Sequence, residues 1–337
     1  MNYQRQKLFI LSLVFVFCFL SACDEKSDPV SADYQSFDTP FGTATQVDDY
    51  PLYTMTYTAD YKFEEYLENG AIPFSSNNHT NAGNYCCTCF SALGENNRLL
   101  GRNYDWPESS TYFTVFTNPG SGYSSLSTVD VSFFDYNHSE SPDFSGNHNT
   151  IRELPYYPFD GMNEMGVAIG MNAVPRARSP HDPAKVTIGE LQLIRLVLDY
   201  ASSTNEAITL VQQYNIRMED PPIHYLIADS SGHSVILEFV DGEMEIMENT
   251  APWQVTTNFV ITGMNSPLEA PCWRFRTAYE MLSTNQGNLS ESAAISLLQN
   301  VSVTTTRWSV VFDMKSGQIS IAMGRKYQNL HTVSVYE

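Results

Sequence analysis

Two periods of hydrophobic and polar positions run through the chain, and they divide it into strands, helices and turns. The first feature is neither: an apolar run from Leu8 to Leu20, preceded by Arg5 and Lys7. The run is shorter than the roughly 20 residues a spanning helix needs, and small residues follow it, which predicts a secretory leader over 1–22. Residues 23–48 are rich in Ser, Asp, Thr and Pro and predict a polar tether. Leu52–Tyr57 reads as a strand, Phe63–Asn69 as a short helix stopped by Gly70, and Ser75–Asn84 as a loop. From Tyr85 the β-signals are dense. A strand through Ala92, a turn at Gly94-Glu95-Asn96-Asn97 and a return strand over Arg98–Asn103 predict a hairpin. A second hairpin turns at Asn163-Glu164-Met165-Gly166 and returns through Val167–Met171.

Helical spacing takes over at Ile188–Tyr200, with apolar residues at Leu191, Ile194 and Leu198, and continues at Ala207–Tyr214. Strands are predicted at Tyr225–Ala228, Ser234–Phe239, Met244–Met247 and Trp253–Phe259. Helices over Trp273–Leu282 and Ser292–Leu298 precede a last hairpin, Trp308–Phe312 with Ile319–Ala322. Antiparallel hairpins with helices grouped between them predict an α+β body in which sheets pack together and helices lie outside.

Composition narrows the functional classes. With 18 Lys+Arg against 38 Asp+Glu the net charge is −20, which argues against a nucleic-acid partner. Apolar residues at 42% and aromatics at 13% are enough for a large core, and the length suits one large domain or two ordinary ones. The tetrad Leu20-Ser21-Ala22-Cys23 resembles a bacterial lipobox. That resemblance implies cleavage before Cys23, lipidation of its thiol, and membrane anchoring in the cell envelope. Cys86, Cys87, Cys89 and Cys272 then remain. An exported chain meets an oxidising compartment, yet three thiols within four positions make a poor disulfide framework. No second Cys or His pair stands at finger-like spacing, and His79, His138, His148, His181, His224, His233 and His331 are scattered, so neither metal nor cofactor is expected.

The candidate chemistry lies on the first hairpin. In Tyr85-Cys86-Cys87-Thr88-Cys89-Phe90-Ser91-Ala92, period two puts Cys87, Cys89 and Ser91 on one face and Thr88 and Phe90 on the other. The return strand ends in Gly101-Arg102-Asn103-Tyr104-Asp105-Trp106, so Cys87 comes close to Arg102 and Asp105. A guanidinium beside a thiol favours the thiolate. The alternative for Arg102 and Asp105 is a surface ion pair.

These residues resemble the N-terminal-nucleophile cysteine hydrolases of the choloylglycine hydrolase, penicillin V acylase and acid ceramidase group. Cys87-Thr88 with Gly101–Trp106 is the first matching element, and four more follow in order. Asp160-Gly161-Met162-Asn163-Glu164-Met165-Gly166 with Met171-Asn172 resembles the family's Asn-Glu-x-Gly hairpin and the asparagine after it. Thr257-Asn258, Arg274-Phe275 and Thr306–Val311 resemble the remaining elements. The stretch from Cys87 to Arg102 is one residue shorter than is usual for the family, a change placed in the Gly94–Asn97 turn. Counting from Cys86 would restore the spacing but put Cys where the family has Thr.

The resemblance implies a four-layer αββα sandwich of two antiparallel sheets with outer helices. It also implies a hydrolase acting on linear amide C–N bonds of a small N-acyl substrate. Cutting before Cys87 would free an α-amine, which titrates near 7.7–8.0 and can serve as base to its own thiol. Arg102 would sit by the sulfur and Asp105 would hold the new amine. The Asn172 backbone N–H and the Asn258 amide would form an oxyanion hole, and Arg274, with Arg276 as competitor, would organise the nucleophile's surroundings. Residues 49–86 would be a prosegment, retained on the 87–337 catalytic domain as a small subunit.

Overall fold

Short runs of aromatic and β-branched residues dominate the chain, and a computed structural model shows most of them as strands of two sheets. It describes residues 34–72, 86–107, 110–133, 148–219 and 221–336. The leader, Cys23 and the Ser75–Asn84 loop lie outside the described residues. In chain order, β1 (Ser36–Thr39), β2 (Gly42–Asp48) and β3 (Leu52–Tyr57) lead to α1 (Phe63–Asn69). Next come the hairpin β4 (Thr88–Ala92) and β5 (Leu99–Asp105), then β6 (Tyr112–Thr117), β7 (Ser125–Asp130) and α2 (His148–Glu153). The second hairpin is β8 (Asp160–Asn163) and β9 (Val167–Ala173). A short parallel pair, β10 (Thr187–Gly189) and β11 (Asn215–Arg217), brackets α3 (Glu190–Tyr200) and α4 (Thr204–Val211). Strands β12 (Ile223–Asp229), β13 (Ser234–Val240), β14 (Glu243–Glu248) and β15 (Trp253–Thr256) follow. Helices α5 (Trp273–Thr284) and α6 (Glu291–Asn300) precede β16 (Thr306–Asp313), β17 (Gln318–Met323) and β18 (Leu330–Ser334).

The larger sheet runs β1-β2-β3-β6-β7-β8-β9-β12-β13-β14 and the smaller β15-β4-β5-β16-β17-β18. All neighbouring pairs in both sheets are antiparallel except β3 with β6. Helix α3 packs on β8 and β9 and α4 on β12, while α5 and α6 cover β15, β4, β5 and β16. The sheets meet where β4 and β5 face β9 and β12. This is the four-layer αββα sandwich. Period two is realised on β4: Cys87 and Cys89 enter the apolar cluster shared by the two sheets, and Phe90 and Ala92 the one under α5 and α6. Gly170 lets the sheets close there, because a Cβ would lie 2.9 Å from the Cys89 sulfur and 3.0 Å from the Arg102 side chain.

Two departures concern strands. Strands β6 and β7 carry no sequence forecast, because both sides of each are covered and the polar/apolar alternation is lost. The expected tether is also too long, since residues 36–48 form β1 and β2. Their polar, half-exposed composition hides an edge whose backbone pairs in order onto β3. The segment ahead of Cys87 is thereby woven into the body, and residues 34–337 cluster as one compact unit. Strand β3 pairs with β6, and Tyr57, Tyr61, Phe63 and Tyr66 pack around Tyr156. Tyr61 donates to Asp199 at 2.7 Å, and Gly189 N–H donates to the Tyr66 hydroxyl at 2.8 Å.

Candidate active site

The hairpin register pairs Thr88 with Asn103 and Cys89 with Arg102, which brings Cys87 beside Asp105. Its sulfur points toward the Asp105 carbonyl at 4.0 Å. Cys87, Arg102 and Asp105 are all buried, so the surface ion pair is not what forms. Arg102 crosses to the other sheet instead. Its Nη1 donates to Asp160 at 2.6 Å, its Nε to the Met171 carbonyl at 3.0 Å, and its plane lies over Tyr104 and Trp308. Trp308 Nε1 donates to the same Asp160 oxygen at 2.9 Å. Asp160 thus sets where Arg102 can sit, a role for which the motif it opens was the one signal in the sequence.

Electrostatics correct one expectation. Burial pushes the Cys87 thiol up, and the Arg102 and Arg274 charges do not reverse it. In this intact chain the sulfur is therefore a neutral thiol at neutral pH. Asp105 is displaced in the same sense: burial pushes its carboxyl up to about 7, against the hydrogen bond from Thr306 and the charges of Arg274 and Arg102. Thr306 occupies Oδ1, while Oδ2 is buried with no hydrogen-bond partner among the described residues.

Arg274 lies at the N-terminal end of α5 and turns its guanidinium onto the Cys86–Cys87 peptide. Nη1 donates to the carbonyls of Cys86 and Cys87 and, at 2.8 Å, to the Thr88 hydroxyl, and it stands 4.0 Å from Asp105 Oδ2. Nη2 donates to Asn258 Oδ1 at 3.0 Å. Its competitor Arg276 bonds the Ala270 carbonyl within its own neighbourhood and takes no part. Asn258 Nδ2 donates to the Ala173 carbonyl at 2.8 Å, which leaves its second N–H available. Asn172 accepts from Thr256 at 2.6 Å, and its Nδ2 is a buried donor with no partner among the described residues.

Arg274 thus touches both the Cys86–Cys87 peptide and Asn258, Asp105 lies beside the Cys87 sulfur, and Arg102 lines the same cavity as Cys87, while Asn172 contacts Thr256 of β15 and has no contact to Cys87 among the described residues. Cys89 is buried behind Gly170 and does not line the adjoining cavity. Cys86, Cys87, Cys89 and Cys272 are unpaired thiols. The cavity beside Cys87 is about 40 Å³ and mostly apolar, with Tyr104, Trp106, Phe159, Met171 and Leu191 in its wall and Glu190 as a carboxyl member. Burial pushes Glu190 up to about 8, so it presents a neutral acid at pH 7.

A two-sheet sandwich with a cysteine at the start of an inner strand defines an Ntn-hydrolase fold. The chain belongs to the choloylglycine hydrolase family of linear amide C–N hydrolases, whose profile matches residues 86–260. It is accordingly a hydrolase of linear amide C–N bonds. A penicillin V acylase from Agrobacterium tumefaciens superposes with a TM-score of 0.54 at 20% identity, over 74% of this chain and 87% of that one. A mutant conjugated bile acid hydrolase from Clostridium perfringens gives 0.54 at 16% identity, over 74% and 92%. A second variant of that enzyme gives 0.56 at 14% identity, over 74% and 93%. No curated protein matches the chain.

Proposed function

We propose that the protein is an exported, lipid-anchored amidase that cuts itself before Cys87 and then hydrolyses an N-acyl amide with an apolar acyl group. The observation that carries this reading is the Arg274 guanidinium held on the Cys86 carbonyl while the Cys87 sulfur waits beside it. In the first reaction the sulfur attacks the Cys86 carbonyl carbon. Negative charge grows on the oxygen that Arg274 already contacts. The C–N bond breaks, the Cys87 nitrogen takes up a proton, and water hydrolyses the thioester.

The freed amine then has the open Asp105 Oδ2 as partner and its own thiol as acid. It takes the thiol proton, the thiolate attacks the substrate carbonyl, and the leaving amine recovers the proton. The second N–H of Asn258 Nδ2 and the donors of Asn172 would receive the tetrahedral oxyanion, a role their open hydrogen-bonding capacity supports. Arg102, fixed by Asp160, keeps a positive charge near the sulfur. The aromatic cavity supports an apolar acyl group.

Anchoring rests on the Cys23 tetrad. Lipid on Cys23 would lie on the piece ahead of the cut, and the catalytic piece would stay at the membrane through the β3–β6 pairing. Intact-mass analysis with N-terminal sequencing tests the central step. The expected result is a terminus at Cys87 in the wild type and an uncut chain in Cys87→Ala. An uncut wild type that still hydrolyses acyl amides would overturn the reading.

A further inference from the structure

Outside the residues already described, one buried ion pair stands directly behind the oxyanion donors. His224 on β12 lies opposite Asn172 of β9 in the sheet register. Its ring is buried, with Nδ1 2.8 Å from Glu238 Oε1 and Nε2 2.8 Å from the Thr257 carbonyl. The ring thereby bridges the Glu238 carboxyl on β13 to the backbone beside Asn258. Glu238 on β13 gathers the other side of the same loop. Its carboxylate accepts from Ile261 N–H at 2.8 Å, from Thr262 N–H at 2.9 Å and from the Thr262 hydroxyl at 2.8 Å. Burial raises the Glu238 carboxyl, but the His224 bond and charge and these amides outweigh it and hold it below the usual range.

The pair therefore grips the chain one residue before Asn258 and again three and four residues after it. Asn258 itself is anchored through its side chain, to Ala173 and Arg274. We infer that His224 and Glu238 are positioning residues that hold the Thr257–Thr262 segment so that the Asn258 amide meets the substrate oxyanion. This rests on the oxyanion role of Asn258 given above. A charged pair suits the task, because charge-assisted bonds are shorter and stronger than neutral ones, and each partner satisfies the other in a dry site.

Self-cleavage separates this role from a general structural one. The carbonyl of Cys86 is received by Arg274, whereas the substrate carbonyl depends on Asn258. His224→Asn and Glu238→Gln should consequently mature with a terminus at Cys87 at about the wild-type rate. On acyl amides their kcat should fall by about 10²-fold, as for a misplacement of about 1 Å, with KM nearly unchanged. Unchanged kcat in both variants, or loss of maturation together with kcat, would overturn the positioning role. If the wild type cuts itself but turns over no acyl amide, it is the amidase reading that falls. The latch then stands or falls on hydrogen exchange at residues 257–262, which both variants should speed.

Discussion

Arg274→Ala removes one guanidinium that serves three acceptors on consecutive residues and one side-chain amide. Its effect on self-cleavage follows from the Cys86 carbonyl, where the negative charge develops. Loss of one such donor costs about 2.7–4 kcal/mol of barrier, so cutting should slow about 10²–10³-fold. Folding should suffer separately. Arg274 is also the cation nearest Asp105 Oδ2, and its loss lets that carboxyl climb further above about 7 and stay neutral, which limits the damage. The assay is a pulse-labelled full chain followed by gel electrophoresis, with a thermal melt of the purified variant to show that it folds. Arg274→Lys keeps the charge but offers a single nitrogen and should fall between the two. Arg276→Ala, one turn position away on the same helix, should cut normally, because Arg276 bonds only Ala270 there. A folded Arg274→Ala that cuts at the wild-type rate would refute the assignment.

Other consequences are equally direct. After cleavage the two pieces should co-elute on size exclusion and part only on unfolding, because β3 lies between β2 and β6 and Tyr61 is bonded to Asp199; separation in native buffer would contradict this. Asp160→Asn leaves Arg102 buried without its counter-charge, at about 3–5 kcal/mol, which should appear as a Tm lower by roughly 10 °C and a large loss of activity. Glu190 has a folded-state value of about 8, above its ordinary 4.5, so its contribution is complete below about 4.5 and is lost as pH rises toward 8. Glu190→Gln should therefore match the wild type in urea midpoint at pH 5 and exceed it at pH 9; parallel pH profiles would refute the buried neutral acid.

Much of the site was legible because it is local. Cys87, Arg102 and Asp105 come together through a single hairpin, and a hairpin's register follows from its turn and its period-two pattern. Asn172 and Asn258 could be placed only by resemblance, since Asn172 lies on β9 of the larger sheet and Asn258 in the loop just after β15 of the smaller. Asp160, Thr306, Trp308, His224 and Glu238 went unassigned for the same reason. Each acts across the sandwich or the sheet, at a distance along the chain where no pattern survives. The motif that opens at Asp160 was the one available signal for it.

Alone, the order of residues determined the hairpins of β4 with β5 and β8 with β9 and the main helices, because backbone period and turn chemistry are short-range properties. Tertiary structure decided the rest. It gave Arg102 to Asp160 rather than Asp105, and let burial outweigh two guanidinium charges at the Cys87 thiol. It also turned half of an expected tether into sheet. Those outcomes depend on desolvation and on which strands lie side by side, and both arise only when distant segments exclude water together.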